Sequence, residues 1–414
     1  MNTPKKVLVT QSQLKNYSGS EVLTLELVEY LANQGAQVTI LTHFLGQPIQ
    51  SDFEKLSGVS ILLTTSPEAD KIDLEEFDLM WVHHLTLTRG LIRQLSTANA
   101  PGLVFHHMSK SEPLEFPIIY DAEAVLADVV AFNSKETRDD LHEQGVAFDQ
   151  KQTFVFGNPA PDGFMRPART ESRARPTRIA IVSNHPPEEI MLSAEDMRRQ
   201  GVVVDCIGRV QGGVTQRVTP IVLHTYDLVI SIGKTVQYSI VSGIPVYCYD
   251  RFGGPGFLTR ENFERCQQKN FSGRGFNTKT RAEIVAEIMG QFETAAQEMA
   301  DLHDKYADDL LLSRRFDALM AMLAENPKST KKLTPVQENS LGSYSDVVRG
   351  LMVSYLRKDE KLGSTQAELR KLRLTSKEIA LEAAKLETEI KALKNKKLLR
   401  LDNFLSGMAK RLGR

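Results

Sequence analysis

Short apolar runs alternate with helix-like segments along most of the chain. The strand-like runs of the first half cover residues 6–11, 37–42, 60–64, 79–83, 102–106, 129–133 and 153–156. Segments with helical spacing, such as 21–33 and 135–143, lie between them. Alternating strands and helices predict a parallel sheet that is covered by helices on both faces. We therefore expect residues 1–158 to form one α/β domain.

A second series of the same kind follows residues 159–176, a segment rich in Pro, Arg and Ala that we interpret as a linker. Its apolar runs cover 178–183, 202–207, 228–232 and 245–249, and a helical region over 280–324 closes it. The pattern predicts a second α/β domain over 177–325. Residues 326–343 are polar with two prolines and are expected to form another linker.

A seven-residue repeat marks the helical region expected over 344–393. Apolar side chains occupy its a and d positions at Leu362, Leu369, Leu372, Ile379, Ala383, Leu386, Ile390 and Leu393. Thr365 and Ser376 are the exceptions. The repeat predicts a coiled coil over 362–393 and, through it, a homo-oligomer. The alternative is a single amphipathic helix packed on the globular body.

The last residues, 394–414, form a basic amphipathic tail. Its apolar stripe changes phase to Leu398, Leu401, Leu405, Met408 and Leu412. Seven Lys and Arg side chains surround the stripe, against one acid, Asp402. Such a segment is typical of helices that lie on anionic membranes. The alternative is a solvated helix end.

Composition narrows the class of protein. The formal net charge of the 414 residues is −1, so there is no global attraction to nucleic acid. The three cysteines are odd in number and far apart, which fits a reducing compartment better than a disulfide framework or a metal site. We find no signal peptide and no apolar run that could span a membrane. The expected location is the cytoplasm, at the inner face of the membrane if the tail binds it.

The segment 227–256 carries the strongest chemical signal. Its first apolar run leads into Gly233, Lys234 and Thr235, a turn and a helix start with a cation and a hydroxyl. Unpaired N–H groups and the helix dipole favour phosphate there. The alternative is a solvated lysine beside a helix-start threonine. The second run ends in Asp250, which could bind a sugar hydroxyl or cap a turn.

Two glycines after that run, Gly253 and Gly254, would let backbone approach a ligand closely. In open α/β sheets, ligands bind beyond the carboxyl ends of the strands. Arg209 follows the run at 202–207 and could reach the same ligand, although a surface arginine is the alternative. Together with Gly233, Lys234 and Thr235, these residues form the predicted phosphate-binding site.

Several stretches together carry a family resemblance. They are VLVTQSQLKNYSGSEVLTLELVEYLANQGAQVTILT from residue 7, NSKETRDDL from 133, GNP from 157, DLVISIGKTVQYSIVSGIPVYCYD from 227 and FGGPGFLTRENFERCQQKNFSGRG from 252. In order and spacing the chain resembles GT-B glycosyltransferases, in particular the family-four-like (group 1) enzymes of bacterial cell-surface polysaccharides. The resemblance covers roughly residues 1–320. It implies an α/β fold with two Rossmann-like domains facing a cleft, here followed by the helical extension.

One departure from that family concerns its paired glutamates. Retaining members usually carry two glutamates eight positions apart, the second five residues before a Gly-x-Pro-Val turn. Aligned on the GIPV turn that begins at Gly243, those positions hold Ile230 and Tyr238. The residues that touch the donor must therefore differ, and retention of configuration does not carry over.

The resemblance also implies a role for the loop after the first strand and for a strand-end histidine. Gly19 and Ser20 would contact a phosphate or sugar through their backbone, the alternative being an ordinary loop with Ser20 as a helix N-cap. His106 and His107 are the catalytic candidates, with His107 preferred, because a histidine near the reacting sugar can bind a hydroxyl or move a proton. His83 and His84, at the end of an earlier strand, are a second pair of which one could face the cleft.

The sequence is thus interpreted as a metal-independent glycosyltransferase. It would move a sugar from a nucleotide-diphosphate sugar, its co-substrate, to an envelope polysaccharide or lipid-linked glycan. We expect no cofactor, and we find neither a D-x-D pair nor a His/Cys cluster for a metal. Two alternatives stay open: a non-catalytic module that binds sugar nucleotide or scaffolds a polysaccharide assembly, and a nucleotide-sugar epimerase.

Overall fold

The computed structural model describes residues 4–84, 86–96, 100–110, 115–146, 148, 152–167, 174–210, 212–325 and 332–411. The chain forms two compact units that divide after Met352. The first unit contains two α/β sheets, and the second is helical.

The first sheet has seven parallel strands. They are β1 (Lys6–Gln11), β2 (Gln37–Thr42), β3 (Val59–Leu63), β4 (Leu79–His83), β5 (Gly102–His107), β6 (Val129–Phe132) and β7 (Thr153–Val155). Their order is β3-β2-β1-β4-β5-β6-β7. All seven were predicted within about two residues, because each is a short apolar run bounded by turns.

Helices cover both faces of this sheet, as alternating strands and helices require. They are α1 (Gly19–Asn33), α2 (Gln50–Phe53), α3 (Arg89–Gln94), α4 (Tyr120–Leu126) and α5 (Lys135–Glu143). One core, centred on Trp81, lies beneath α1, and a second core lies on the opposite face with Phe105 and Phe132. Because the strands are parallel, their carboxyl ends share one edge of the sheet.

The second sheet has five strands in the order β12-β11-β10-β8-β9. They are β8 (Arg178–Val182), β9 (Val203–Ile207), β10 (Leu228–Ser231), β11 (Val246–Asp250) and β12 (Gly253–Phe257). Its helices are α6 (Glu188–Arg199), α7 (Pro220–Leu223), α8 (Lys234–Val241), α9 (Phe263–Gln268) and α10 (Arg281–Tyr306). Strands β8 to β11 pair in parallel, whereas β12 runs antiparallel to β11.

Strand β12 corrects the interpretation of its glycines. A Cβ atom on Gly253 would lie 2.2 Å from the carbonyl oxygen of Asn277, and one on Gly254 would lie 2.0 Å from that of Cys248. Gly253 also has φ = +101°, which side chains rarely adopt. The glycines therefore allow close packing of backbone on backbone, and neither lines the cleft described below.

The chain then returns to the first sheet. Helix α11 (Leu312–Glu325) follows a break after Tyr306, and its Leu312 and Phe316 lie in the Trp81 core. The last helix of the predicted second domain therefore packs on the first sheet. Helix α12 (Pro335–Arg411) begins inside 326–343, so the predicted linker is in part helical.

The first turns of α12 belong to the first unit. Leu341 is buried in the second core, Ser345 donates a hydrogen bond to the carbonyl of Leu87, and Arg89 pairs with Asp346 at 2.5 Å. From residue 353 the helix forms the second unit with exposed apolar side chains. Within the residues the structure describes, no helix is long and apolar enough to span a membrane.

Candidate functional site

A cleft of about 680 Å³ lies between the carboxyl edges of the two sheets. Its first wall is formed by the loops after β1, β4 and β5, with Ser12, His84 and Glu115. Its second wall is formed by the loops after β8, β9 and β10, with Asn184, Arg209 and Gly233. Loops at the carboxyl ends of parallel strands are where α/β proteins bind ligands. This cleft is the candidate site.

The N-terminus of α8 forms the base of the second wall. Gly233 precedes the helix with φ = +60°, and no side chain caps it. The N–H groups of the first helical turn have no acceptor within the helix, and the helix dipole adds partial positive charge. Gly233, Lys234 and Thr235 all line the cleft. The backbone there suits an anion.

The side chain of Lys234 is occupied. Its ammonium lies 2.6 Å from Oε2 of Glu26 on α1 and donates to the carbonyl of Pro159 at 2.9 Å. Glu26 is completely buried and also accepts a hydrogen bond from the hydroxyl of Tyr238. Burial lowers the pKa of Lys234, and the charge of Glu26 opposes that shift. In this structure Lys234 links α8, beside the second sheet, to α1, beside the first sheet. Its ammonium is therefore not free to bind a ligand.

Arg217 extends the same network. Both of its terminal nitrogens bond the carboxylate of Glu29, and Nη2 lies 3.8 Å from Glu26. Burial works against the charge of Arg217, yet the two glutamates outweigh it and raise the pKa of the guanidinium. Glu26 and Glu29 on α1 thus form ion pairs with Lys234 and Arg217, which belong to the part of the chain that builds the second sheet. This role could not be predicted from the sequence, because a glutamate on an amphipathic helix usually faces solvent.

Arg209 is the exposed cation of the cleft. Its backbone N–H donates to Oδ1 of Asn184 at 3.0 Å, which fixes the loop after β9. Arg209 and Lys234 are the two Lys or Arg side chains that line the cleft, and Arg209 alone has no carboxylate within ion-pair distance among the described residues. Its guanidinium is therefore available to an anionic ligand.

The loop before α1 is shaped by a buried carboxylate. Glu21 accepts hydrogen bonds from the backbone N–H groups of Lys15 and Asn16 and from the hydroxyl of Ser18. Burial raises the pKa of Glu21, and these donors oppose the shift. Gly19 and Ser20 line the cleft in the first turn of α1. The N-cap is Ser18, so the alternative role for Ser20 was wrong.

Two histidines line the cleft, His84 on the first wall and the exposed His185 on the second. His84 follows β4 in the left-handed region at φ = +51°, which is uncommon for a residue other than glycine. Its Nδ1 lies 2.7 Å from the hydroxyl of Ser12, and its Nε2 lies 2.8 Å from Oε1 of Glu115. All three side chains line the cleft. A hydroxyl, an imidazole and a carboxylate in sequence are suited to proton transfer.

The two histidines expected to be catalytic lie elsewhere. His106 is buried among Trp81, His83 and Phe156, and burial lowers its pKa to about 3. Neither His106 nor His107 lines the cleft. Their prediction as catalytic residues is corrected by this placement.

His107 is enclosed on the other face of the sheet. Its Nε2 lies 3.0 Å from Oε2 of the buried Glu123, and its ring packs against Phe132 and Phe148. Strand alternation sends consecutive side chains to opposite faces, so both histidines of β5 enter the two cores. His84 lies one residue beyond β4, and only the loop conformation turns it to the cleft. The sequence offered the pair at 83–84 but no signal to choose it.

Asp250 has the capping role among its two alternatives. Its carboxylate accepts from the backbone N–H groups of Phe252 at 2.8 Å and Gly273 at 3.0 Å. It lines a smaller pocket of about 280 Å³ beside the cleft. Among the side chains that the structure describes, no group of three or more His, Cys, Asp or Glu residues could hold a metal ion.

Comparisons with known proteins bear on the fold. No protein-family model and no curated protein matches the chain. A solved structure of Anabaena Alr3699/HepE in complex with UDP and glucose is similar with a TM-score of 0.52 at 13% identity, covering 78% of this chain and all of that one. A glycosyltransferase from Rickettsia africae ESF-5 is similar with a TM-score of 0.54 at 12% identity, covering 79% and 100%. The chain has the GT-B fold, with two Rossmann-like halves and a long C-terminal helix.

Proposed function

We propose that this protein is a glycosyltransferase that takes a sugar from a nucleotide-diphosphate donor. The observation that carries the proposal is the pair of opposed walls in the cleft. An anion-binding helix start with an exposed arginine faces a hydroxyl–histidine–carboxylate series. One wall suits a departing diphosphate and the other suits an accepting hydroxyl. The similarity to HepE, whose structure holds UDP and glucose, supports this assignment through the fold.

The donor diphosphate would bind between the start of α8 and Arg209. Backbone N–H groups of Lys234 and Thr235 would donate to phosphate oxygens, and the guanidinium would add charge-assisted hydrogen bonds. These groups are held in place before the reaction, so they stabilise the charge that develops when the sugar–phosphate bond breaks. The proposed chemistry uses these groups, rather than a metal ion, to stabilise the diphosphate.

The accepting hydroxyl would lose its proton to His84. If the Nε2–H of a neutral His84 donates to Glu115, Nδ1 is a hydrogen-bond acceptor. In this structure the hydroxyl of Ser12 donates to that Nδ1. Ser12 can pass on the proton, or the acceptor hydroxyl can take its place. The new glycosidic bond forms as the bond to the diphosphate breaks. This direct displacement inverts the anomeric centre, which fits the absence of both family glutamates at Ile230 and Tyr238.

An envelope polysaccharide or a lipid-linked glycan is the proposed acceptor. The support is the basic tail at 394–414, which would hold the enzyme at the inner face of an anionic membrane. Leu405 and Met408 are exposed on the helix there. Leu398, Leu401 and Leu412 lie outside the side chains that the structure describes. The repeat at 362–393 would add a homo-oligomer.

A non-catalytic sugar-nucleotide-binding module is the second candidate. The observation in its favour is the replacement of both donor-contacting glutamates, one of them by a tyrosine whose hydroxyl is engaged with Glu26. Such a module would bind the nucleotide but would not turn it over. The epimerase alternative has no observation in this structure that favours it.

A two-stage experiment separates these functions. Thermal unfolding of the full chain is first measured with UDP-, GDP- and ADP-linked sugars. Each stabilising donor is then incubated with the protein, and release of the nucleoside diphosphate is followed with and without glycan acceptors. Stabilisation with release supports the transferase, whereas stabilisation without release supports the binding module. A chain that none of the donors stabilises would contradict both.

A further inference from the structure

The second unit presents a long apolar stripe that has no partner among the described residues. The side chains at the a and d positions from Leu362 to Leu393 are exposed on a helix that continues without a break to Arg411. Water-exposed leucine and isoleucine repeated over many turns are unfavourable for a single helix, so a stripe of this length indicates a packing partner.

The structure extends this stripe beyond the repeat visible in the sequence. Leu351 and Tyr355 are exposed and continue the same d and a positions toward the start of the helix. Their neighbours Val348 and Met352 are buried in the first unit. The stripe thus begins where α12 leaves the first unit and runs from 351 to 393.

We propose that a second copy of this chain covers the stripe in a parallel, in-register, two-stranded coiled coil over 351–393. The polar core positions give the first argument. In register, Thr365 meets Thr365 and Ser376 meets Ser376, so the hydroxyls can bond one another. An antiparallel pair that covers the same stripe sets Ser376 against Leu372. Lys358, also at a core position, is long enough to reach solvent.

The charges beside the stripe give the second argument. In the parallel arrangement Glu368 faces Arg373 of the other copy, and Glu389 faces Lys394. One like-charged contact, between Glu382 and Glu387, opposes these pairs. The antiparallel arrangement that covers the same stripe has one attractive pair, Lys361 with Glu389, but it sets Glu368 against Glu382 and Arg373 against Arg373 of the other copy. Charge therefore favours the parallel pair.

This dimer goes beyond the proposed function and does not depend on it. It brings the two copies of residue 353 to one end of the coiled coil and the two basic tails to the other. Two tails at one end would double the positive charge that a single membrane patch meets.

Two matched leucines test the interface. Leu372 is 66% exposed at a d position, and Leu374 is 64% exposed at an f position on the opposite side of the helix. Light scattering of the full chain should give twice the 46.3 kDa chain mass for wild type and for Leu374→Glu. Leu372→Glu should give a single chain. A monomeric wild type at micromolar concentration, or equal dissociation of both variants, would overturn the proposal.

A cysteine at Thr365 tests the orientation. The three native cysteines are buried, so a short bismaleimide should join Thr365→Cys chains through the new thiols. In the parallel pair residues 365 face each other. In the antiparallel pair they lie about 27 Å apart, from 18 residues at 1.5 Å each, and no cross-link forms. Leu374→Cys, on the outer face, measures background linking. A dimer that cross-links no better through 365 than through 374 would refute the parallel arrangement.

Discussion

Replacing Lys234 with methionine should destabilise the folded first unit more than any other single change in the cleft. The variant keeps the bulk of the side chain but removes the ammonium that lies 2.6 Å from Glu26. Glu26 is fully buried, so its carboxylate would keep only the hydroxyl of Tyr238 and the more distant Arg217. Breaking a buried pair from one side leaves an uncompensated charge.

The magnitude follows from that burial. Removing one partner of a buried ion pair typically costs about 3–5 kcal/mol, whereas removing both can be almost neutral. We therefore expect Lys234→Met and Glu26→Gln each to lower the free energy of unfolding by about 3 kcal/mol. The double variant should lose about 3 kcal/mol or less rather than the additive total of about 6 kcal/mol, which gives a coupling energy of at least about 3 kcal/mol.

Urea unfolding followed by circular dichroism measures these differences. The three variants and wild type are compared at pH 7, and a constant m-value shows that the same surface is exposed in each. Losses below about 1 kcal/mol for both single variants, a size typical of exposed pairs, would refute the reasoning. They would mean that the pair is hydrated in solution and that Lys234 is open to a ligand after all.

Three further outcomes follow from the site and the tail. His84→Gln should slow release of the nucleoside diphosphate by roughly 10²–10⁴-fold while donor affinity in calorimetry stays unchanged; equal rates would remove His84 from the reaction. Burial lowers the pKa of His43 to about 4 and that of His106 to about 3. Below about pH 6.5 the unfolded chain therefore binds protons that the folded chain does not, and the free energy of unfolding should fall by about 2 kcal/mol per histidine from pH 7 to pH 5. A free energy of unfolding that stays constant over this range would contradict the burial of the two histidines. Deleting 394–414 should abolish salt-sensitive co-sedimentation with anionic liposomes; wild-type binding to neutral liposomes as strongly would show that charge is not the cause.

The parallel strands could be predicted from the sequence because each depends on its own short apolar run. Strand β12 could not, since its sequence, GGPGF, is typical of a loop. It forms because glycines let its backbone approach Cys248 on β11 and Asn277, and Asn277 lies 24 positions beyond Gly253 in the sequence. Local pattern therefore predicted the sheet centres but missed this edge.

The site was predicted in part for the same reason. The helix start at Gly233 and the loop at Gly19 follow from strand–turn–helix patterns, and both line the cleft. The partner of Lys234 could not be predicted, because Glu26 lies 208 positions away in the chain and reaches it only through the packing of α1 on α8. Likewise the choice of His84 over His107 depends on a left-handed backbone at one residue.

Calorimetric titration of the full chain with UDP, GDP and ADP tests the central claim most directly. At least one nucleotide should bind, and Arg209→Ala should weaken that binding by about 1.5–3 kcal/mol, the scale of lost charge-assisted hydrogen bonds. Arg199→Ala, an exposed arginine outside the cleft, is the control and should leave the affinity unchanged. If none of the three nucleotides binds at millimolar concentration, or if Arg209→Ala binds as tightly as wild type, the cleft is not the diphosphate site proposed.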